Sequence, residues 1–512
     1  MGYKELTLKL GAEYTDEELN SVISKKLGIK KYLYHLKRKS LDARKRSNIH
    51  WQITVGVSSI EINTSQEYKI VPSLTIDYKK RNKKIVVVGS GPAGFFSAFV
   101  LQKSGFDVTL LERGASVSKR AKGIENFEKT GEFNAASNYA FGEGGAGTFS
   151  DGKLTSRSKH ILQERQFIID SYISAGAPAE IAYLAHPHIG SDNLRVIVKK
   201  LRADFINEGG KICFETMVKD LKVVDGKVIS VVTEDQELPV DMVILATGHS
   251  AYETYKMLID KGVTFKPKNF AVGCRLEHEQ ELINLSQWGH KKLTGISAAE
   301  YRLSTQVSND MSVYTFCMCP GGSIIPANAY EKRSVVNGMS MYSRNGRFAN
   351  AGCVAGVDLN KLMKKEITAL EAINWLDDLE KNFYDQTQGY ILPACSIQEF
   401  VKKKTSNKSM QTSYPLGITK ASLWEMLPAN ISDALVDGLQ IFSKKIRGFE
   451  KGNIMGLESK TSAIVQVLRD QNGLCEGFSN LYMVGEGSGY AGGIISSAAD
   501  GIRASKSISE IF

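Results

Sequence analysis

Lys84-Ile-Val-Val-Val-Gly-Ser-Gly-Pro-Ala-Gly94 is followed by Ala98, Leu101, Gly105, Val108 and, at the end of a second apolar run, Glu112. The stretch reads as a strand (85–88), a glycine turn, a helix (95–103) and a second strand ending in an acid. Gly89 permits the tight turn, Gly91 lacks the side chain that would block a pyrophosphate, and Gly94 lets helix and strand approach closely. A phosphate placed here meets unpaired N–H groups and the positive end of a helix dipole. Glu112, about 20 residues on, is spaced to accept hydrogen bonds from a ribose. An adenine dinucleotide is the expected ligand, held by Gly89, Ser90, Gly91, Pro92, Ala93, Gly94, Glu112 and the adjoining Arg113.

The far end of the chain decides which dinucleotide. Asn480-Leu-Tyr-Met-Val-Gly-Glu-Gly-Ser-Gly-Tyr-Ala-Gly-Gly-Ile494 is a short apolar strand, an acid, a glycine-rich turn and then a small-residue helix over 496–505. It resembles the second flavin signature of the FAD-dependent oxidoreductases that share the glutathione reductase fold. The resemblance implies that Glu486 binds the ribityl chain and that Gly485, Gly492, Gly493 and Ile494 border the flavin. A helix N-terminus aimed at flavin N1 would stabilise the negative charge of the reduced ring. Val240-Asp-Met-Val-Ile-Leu-Ala-Thr-Gly248 is similar to the family's return strand, which puts Ala246, Thr247 and Gly248 at the cofactor. Gly209-Gly-Lys-Ile-Cys-Phe-Glu-Thr-Met-Val218 resembles the strand whose end touches adenine, through the Val218 backbone. Taken alone, each of these two is a buried strand ending in a turn; their order and company favour the flavin reading.

Four further segments narrow the likeness. Gly144-Gly-Ala-Gly-Thr-Phe-Ser-Asp-Gly-Lys-Leu154, His186-Pro-His-Ile-Gly-Ser-Asp-Asn-Leu194, Phe316-Cys-Met-Cys-Pro-Gly-Gly322 and the 485–494 turn resemble a widespread group of bacterial and plastid FAD-dependent dehydrogenases. The likeness departs at 459–464, where Lys460 stands in place of the group's Arg. It implies non-covalent FAD, with Gly145, Thr148, Ser150, Asp151 and Lys153 beside the flavin. Lys153 is a candidate for stabilising charge near N5 or N1 with Asp151 holding it; a loop-tying salt bridge is the competing reading.

Two other candidates carry chemistry. Cys317 and Cys319 lie two apart in a β-like run, so their sulfurs are expected on one side of a strand, as redox partners or as ordinary buried thiols. His186 and His188 flank Pro187 ahead of a helix over 193–208 that Asp192 is expected to cap; His188 is a candidate proton relay or a structural loop histidine. No metal site is expected.

With 512 residues the chain has room for two to four domains. The expected architecture is α/β: a small N-terminal α+β domain (1–80), a glutathione-reductase-type FAD-binding Rossmann domain (81–265, completed by 455–512) and an inserted α+β domain (266–454) covering the flavin. Residues 79–84 read as a polar hinge, and 359–384 as one helix with an apolar stripe. No run approaches a membrane span, no signal core opens the chain, and seven scattered cysteines suggest no disulfide framework. A cytoplasmic protein with no membrane partner is expected; the sequence leaves its oligomeric state open. The formal net charge of +10 is concentrated in residues 25–46. That basic segment makes RNA the less favoured partner, against a solvated or domain-docking face. The expected activity is FAD-dependent oxidoreduction of a small molecule, a dehydrogenase or reductase with NAD(P)H as a candidate transient reductant. The alternatives are RNA modification or a non-catalytic flavin redox sensor.

Overall fold

The computed structural model describes residues 1–64, 71–156, 158–307, 310–407 and 409–512. A five-stranded parallel sheet forms its base, in the order Leu481–Met483, Met242–Leu245, Lys84–Val88, Asp107–Leu111, Lys211–Cys213. Both faces are covered, as the apolar runs of a parallel sheet require. Along Lys84–Val88 the alternation is visible residue by residue. Ile85 and Val87 enter the core shared with helices Pro92–Lys103, Leu162–Ser174, Gly190–Asn207 and Ile494–Ile511, while Val86 and Val88 enter the opposite core. That second core runs without a break into the central part of the chain.

The central part carries a seven-stranded, mainly antiparallel sheet: Ser304–Gln306, Ser312–Cys319, Phe348–Val357, Phe270–Glu279, Asn453–Glu458, Leu392–Ser396 and Ile418–Lys420. Asn453–Glu458 pairs with Phe270–Glu279, so a boundary at about 455 falls inside a strand of the central sheet. The chain rejoins the parallel sheet only at Leu481–Met483. The stripe over 359–384 is two helices, Leu359–Met363 and Ala369–Thr387. Lys364 closes the first in the left-handed region, and Thr368 opens the second with a capping box to Glu371.

The N-terminal unit is a three-stranded antiparallel sheet, Gly2–Leu10, His50–Ser59 and Leu33–Asp42 in spatial order, backed by helix Asp16–Leu27. Thr15 caps that helix, accepting the Glu18 amide at 3.2 Å. Much of the basic segment is engaged within the molecule. Lys37 pairs with Glu5, Arg44 with Asp42, Lys39 lies over the Tyr14 and Trp51 rings, and Arg46 donates to the Ser286 carbonyl. Backbone pairing of Lys39 with Leu184 docks the unit on the rest of the chain.

The stretch 79–84, expected as a hinge, is tied down. Lys79 and Arg81 amides donate to Ser104 and Gly105 carbonyls at 3.2 and 2.8 Å, and the Arg81 guanidinium lies over Phe106. Among the described residues no helix is long and apolar enough to cross a membrane.

Candidate functional site

The glycine turn between Lys84–Val88 and Pro92–Lys103 is shaped by sterics at three positions. Gly89 has φ +100°, and a Cβ there would run into the Ala246 carbonyl. At Gly94 a Cβ would overlap the Gly89 carbonyl oxygen, so this glycine sets the helix–strand approach. Gly91 differs: a Cβ would meet only Gly145 Cα, at 3.7 Å. Glu112 is buried and its carboxylate is fully used. Oε2 accepts Ser90 N and Oγ at 2.9 and 2.7 Å, and Oε1 accepts Gly114 N and Gly142 N at 2.8 and 3.1 Å. Expected as a ribose acceptor, it is seen organising the turn, because four donors already fill the acceptor sites of a carboxylate.

Arg120, on helix Val117–Thr130, gave no sequence signal yet holds the whole glycine loop. It is fully buried, and its guanidinium donates to the carbonyls of Asn138, Tyr139, Gly142, Glu143 and Gly145 at 2.8–3.3 Å. Burial lowers it to about 10, still charged at neutral pH. Thr148 and Ser150 donate to the Glu143 and Gly147 carbonyls, which closes the loop on itself.

A second wall is made by 246–249 and 485–494. Among the described residues nothing hydrogen-bonds the buried Thr247 hydroxyl or His249 Nε2. Cβ atoms on Gly248, Gly492 and Gly493 would enter open space, whereas one on Gly485 would strike Ala93 Cβ. Glu486 is partly exposed, 3.7 Å from His249 Nδ1. The last helix begins at Ile494, where a Cβ on Gly147 would lie 3.2 Å from Ile494 Cγ1. The glycine loop thus reaches from Gly91 to the N-terminus of the last helix. Uncrowded glycines and an orphaned buried hydroxyl along one path suit a dinucleotide whose backbone contacts must be close.

Beyond that loop the structure gathers Lys153, His188 and Cys317, three residues far apart in sequence. Lys153 and His188 form an antiparallel bridge, and the Lys153 ammonium donates to the carbonyl of Met318, between the two cysteines. Asp151 does not hold Lys153 as expected. Its partners are Ser340 and Arg344, the latter with Nε 3.0 Å from Oδ1. Burial pushes the Asp151 carboxyl up, but Arg344 and Lys153 outweigh it and hold it below the usual range. His188 Nε2 lies 3.0 Å from the Tyr342 carbonyl, an acceptor only, so Nε2 carries the proton. Burial and then the Arg344 charge lower its pKa, which keeps the ring neutral at pH 7.

The cysteines do not sit on a flat strand. Register shifts between Phe316 and Cys319, and Cys317 has φ +44°. Arg275 Nη2 donates to the Cys317 carbonyl at 2.7 Å and lies 3.6 Å from Cys319 Sγ, while its Nη1 pairs with the fully buried Glu458 at 3.0 Å. Arg275, Glu458, Ser340 and Arg344 were not read from the sequence; their roles arise from strand pairing and loop packing across the chain.

Other expected positions fall as follows. Arg113 pairs with Glu253 and lies 3.9 Å above the Phe141 ring. Val218 packs in the core with Leu111. Asp192 lies inside helix Gly190–Asn207, where it accepts the Tyr342 amide at 2.9 Å instead of capping. Lys460 is buried, 2.9 Å from Glu380 and over the Tyr252 ring.

The fold and this site define a Rossmann-type flavoprotein. A model of the C-terminal domain of FAD-dependent proteins matches residues 269–461, an NAD(P)-binding Rossmann-like domain matches 87–147, and a domain of unknown function matches 3–58. An uncharacterised protein of Clostridium beijerinckii is 37% identical, covering 97% of both chains. The chain belongs to this family of FAD-dependent proteins. Solved structures similar to part of it include a flavin-dependent brominase (14% identity, 84% of this chain and 79% of that one, TM-score 0.40). Another is glycine oxidase from Bacillus cereus ATCC 14579 (11%, 84% and 96%, TM-score 0.34).

Proposed function

We propose that this protein is an oxidoreductase of the glutathione reductase type, holding FAD non-covalently and acting on a small molecule beneath the central sheet. The observation that carries the reading is the path of open glycines, Gly91, Gly248, Gly492 and Gly493, beside the orphaned Thr247 hydroxyl. Gly89–Gly94 and Gly145 would hold the pyrophosphate, Glu112 keeps that turn in shape, and Glu486 with the N-terminus of the last helix would serve the ribityl and pyrimidine end. When bound, the flavin supplies hydride or two-electron transfer at N5. Lys153, fixed by the Met318 carbonyl, brings positive charge to the substrate side. His188, neutral with its proton on Nε2, leaves Nδ1 as a proton acceptor. NADH or NADPH is the proposed reductant.

The test is purification followed by anaerobic reduction. A yellow protein whose flavin band bleaches with a nicotinamide nucleotide and returns with an electron acceptor is expected. A colourless protein that takes up no added FAD would overturn the reading.

A further inference from the structure

The three residues Cys317-Met318-Cys319 form an arch whose shape nothing in a plain strand requires. In a regular strand, residues two apart have α-carbons about 6.6 Å apart, at the upper edge of what a disulfide can span. Here the left-handed Cys317 and the register shift between Phe316 and Cys319 put a bulge in the strand where the two cysteines lie. The Cys319 thiol donates to the Cys317 carbonyl at 3.4 Å, which turns the second sulfur toward the backbone of the first cysteine. Two side chains clamp the arch: Lys153 on the Met318 carbonyl, and Arg275 on both the Cys317 carbonyl and Cys319 Sγ, with Glu458 in turn holding Arg275. A non-glycine residue kept in the left-handed region by that many contacts marks a position held for a purpose.

Four of the five remaining cysteines supply the contrast. Burial pushes Cys274 up, and Cys353, Cys395 and Cys475 up to about 12, which leaves four inert thiols. Cys317 goes the other way: the hydrogen bond from Cys319, and then the Arg275 and Lys153 charges, bring it well below an ordinary thiol, while Cys319 rises. One nucleophilic thiolate beside one protonated partner is the arrangement thiol–disulfide chemistry uses. The arch is also reached by the glycine loop, which runs from Gly91 past Ile494 to Lys153.

We propose that Cys317 and Cys319 are a redox-active dithiol that exchanges two electrons with the bound flavin, an internal relay between FAD and substrate. It rests on the FAD reading above. In the oxidising direction the Cys319 S–H bond breaks and one S–S bond forms between its sulfur and the Cys317 thiolate; two electrons and the one proton pass to oxidised FAD, which becomes the anionic reduced flavin. Reduced FAD and the disulfide run the reaction in reverse.

The experiment is an anaerobic dithionite titration of the purified holoenzyme after oxidation, paired with alkylation of denatured protein to count thiols. Wild type is expected to consume about two equivalents of dithionite per FAD, and Cys317→Ser and Cys319→Ser about one. The thiol count should rise from about five in the oxidised protein to all seven on reduction. Flavin present, one equivalent consumed and seven free thiols in both states would overturn the dithiol and leave the FAD reading standing. If a serine variant fails to fold, the wild-type thiol count decides. A protein that binds no FAD overturns both.

Discussion

The backbone of Gly145 is packed against that of Gly91: a Cβ on Gly145 would lie 3.0 Å from Gly91 Cα, while a Cβ on Gly91 would find nothing closer than Gly145 Cα at 3.7 Å. The protein itself therefore tolerates a methyl group at Gly91, and only a ligand would not. Gly91→Ala is expected to unfold within a few degrees of wild type yet lose FAD affinity at least tenfold, about 1.4 kcal/mol. Gly94→Ala should do the reverse, because its methyl group overlaps the Gly89 carbonyl; a loss of about 3 kcal/mol in the apoprotein is expected. Flavin content and thermal unfolding of the two variants separate them. Equal FAD retention in wild type and Gly91→Ala would remove the pyrophosphate from this turn.

Arg120 makes a prediction that sequence gave no reason to make. Its planar fork meets five carbonyls at once, and an ammonium cannot reproduce that geometry. Arg120→Lys should cost about 3 kcal/mol in stability, with several buried carbonyls left unpartnered, and should weaken FAD because Gly145 is no longer held against Gly91. Chemical denaturation and FAD titration check this; an unchanged midpoint would show the loop is held by other means.

The contrast between Gly91 and Arg120 marks what the sequence can show. The fingerprint was legible because its parts lie within one βαβ unit and their spacing is fixed by local geometry. The helix at Thr15 and the strand ending at Glu112 were legible for the same reason. Arg120 lies in a helix whose charged residues otherwise look alike, and only the loop folding over it gives it partners. Arg275 and Glu458 are 183 residues apart, joined by pairing of two strands that no local pattern links. The run that holds Cys317 and Cys319 is the strand its pattern suggests, Ser312–Cys319, but its bulge was not legible, because a bulge is a property of the pair of strands, not of the run itself. At Asp192 the local signal for a cap lost to a tertiary contact with Tyr342.

His278 gives a pH dependence with a definite sign. The ring is fully buried, Nε2 lies 2.8 Å from the Phe449 carbonyl, and burial lowers its pKa to about 4 from the ordinary 6.5. Between those values the unfolded chain takes up a proton that the fold refuses. This contribution to stability is complete above pH 6.5 and is lost as pH falls toward 4, by about 3 kcal/mol. Thermal midpoints of wild type and His278→Gln at pH 7.5 and 4.5 should show the steeper acid loss in wild type. Parallel losses would mean that the imidazole already titrates normally in the fold.

The electron donor can be argued from the central sheet. Enzymes of this fold with a dedicated nicotinamide domain carry a second strand, glycine turn and helix. Among the described central residues, one parallel pair is present, Leu392–Ser396 with Ile418–Lys420, and the helix between them, Ile397–Lys402, opens with a capping box. There the Glu399 carboxylate accepts the Ser396 and Ser406 amides at 2.7 and 2.6 Å. An acid already seated on a helix N-terminus repels a phosphate, so this crossover is not a dinucleotide turn. A nicotinamide nucleotide is therefore expected to approach the open face of the flavin with its adenine loosely held. Half-saturation of anaerobic flavin reduction should then lie toward the millimolar end of the usual range, on the order of 100 µM or weaker. Stopped-flow measurement with NADH and NADPH decides the point. A half-saturation below about 1 µM, with pyrophosphate ordered on a helix N-terminus of the central sheet, would make that sheet a nucleotide-binding module instead of a cover for the substrate.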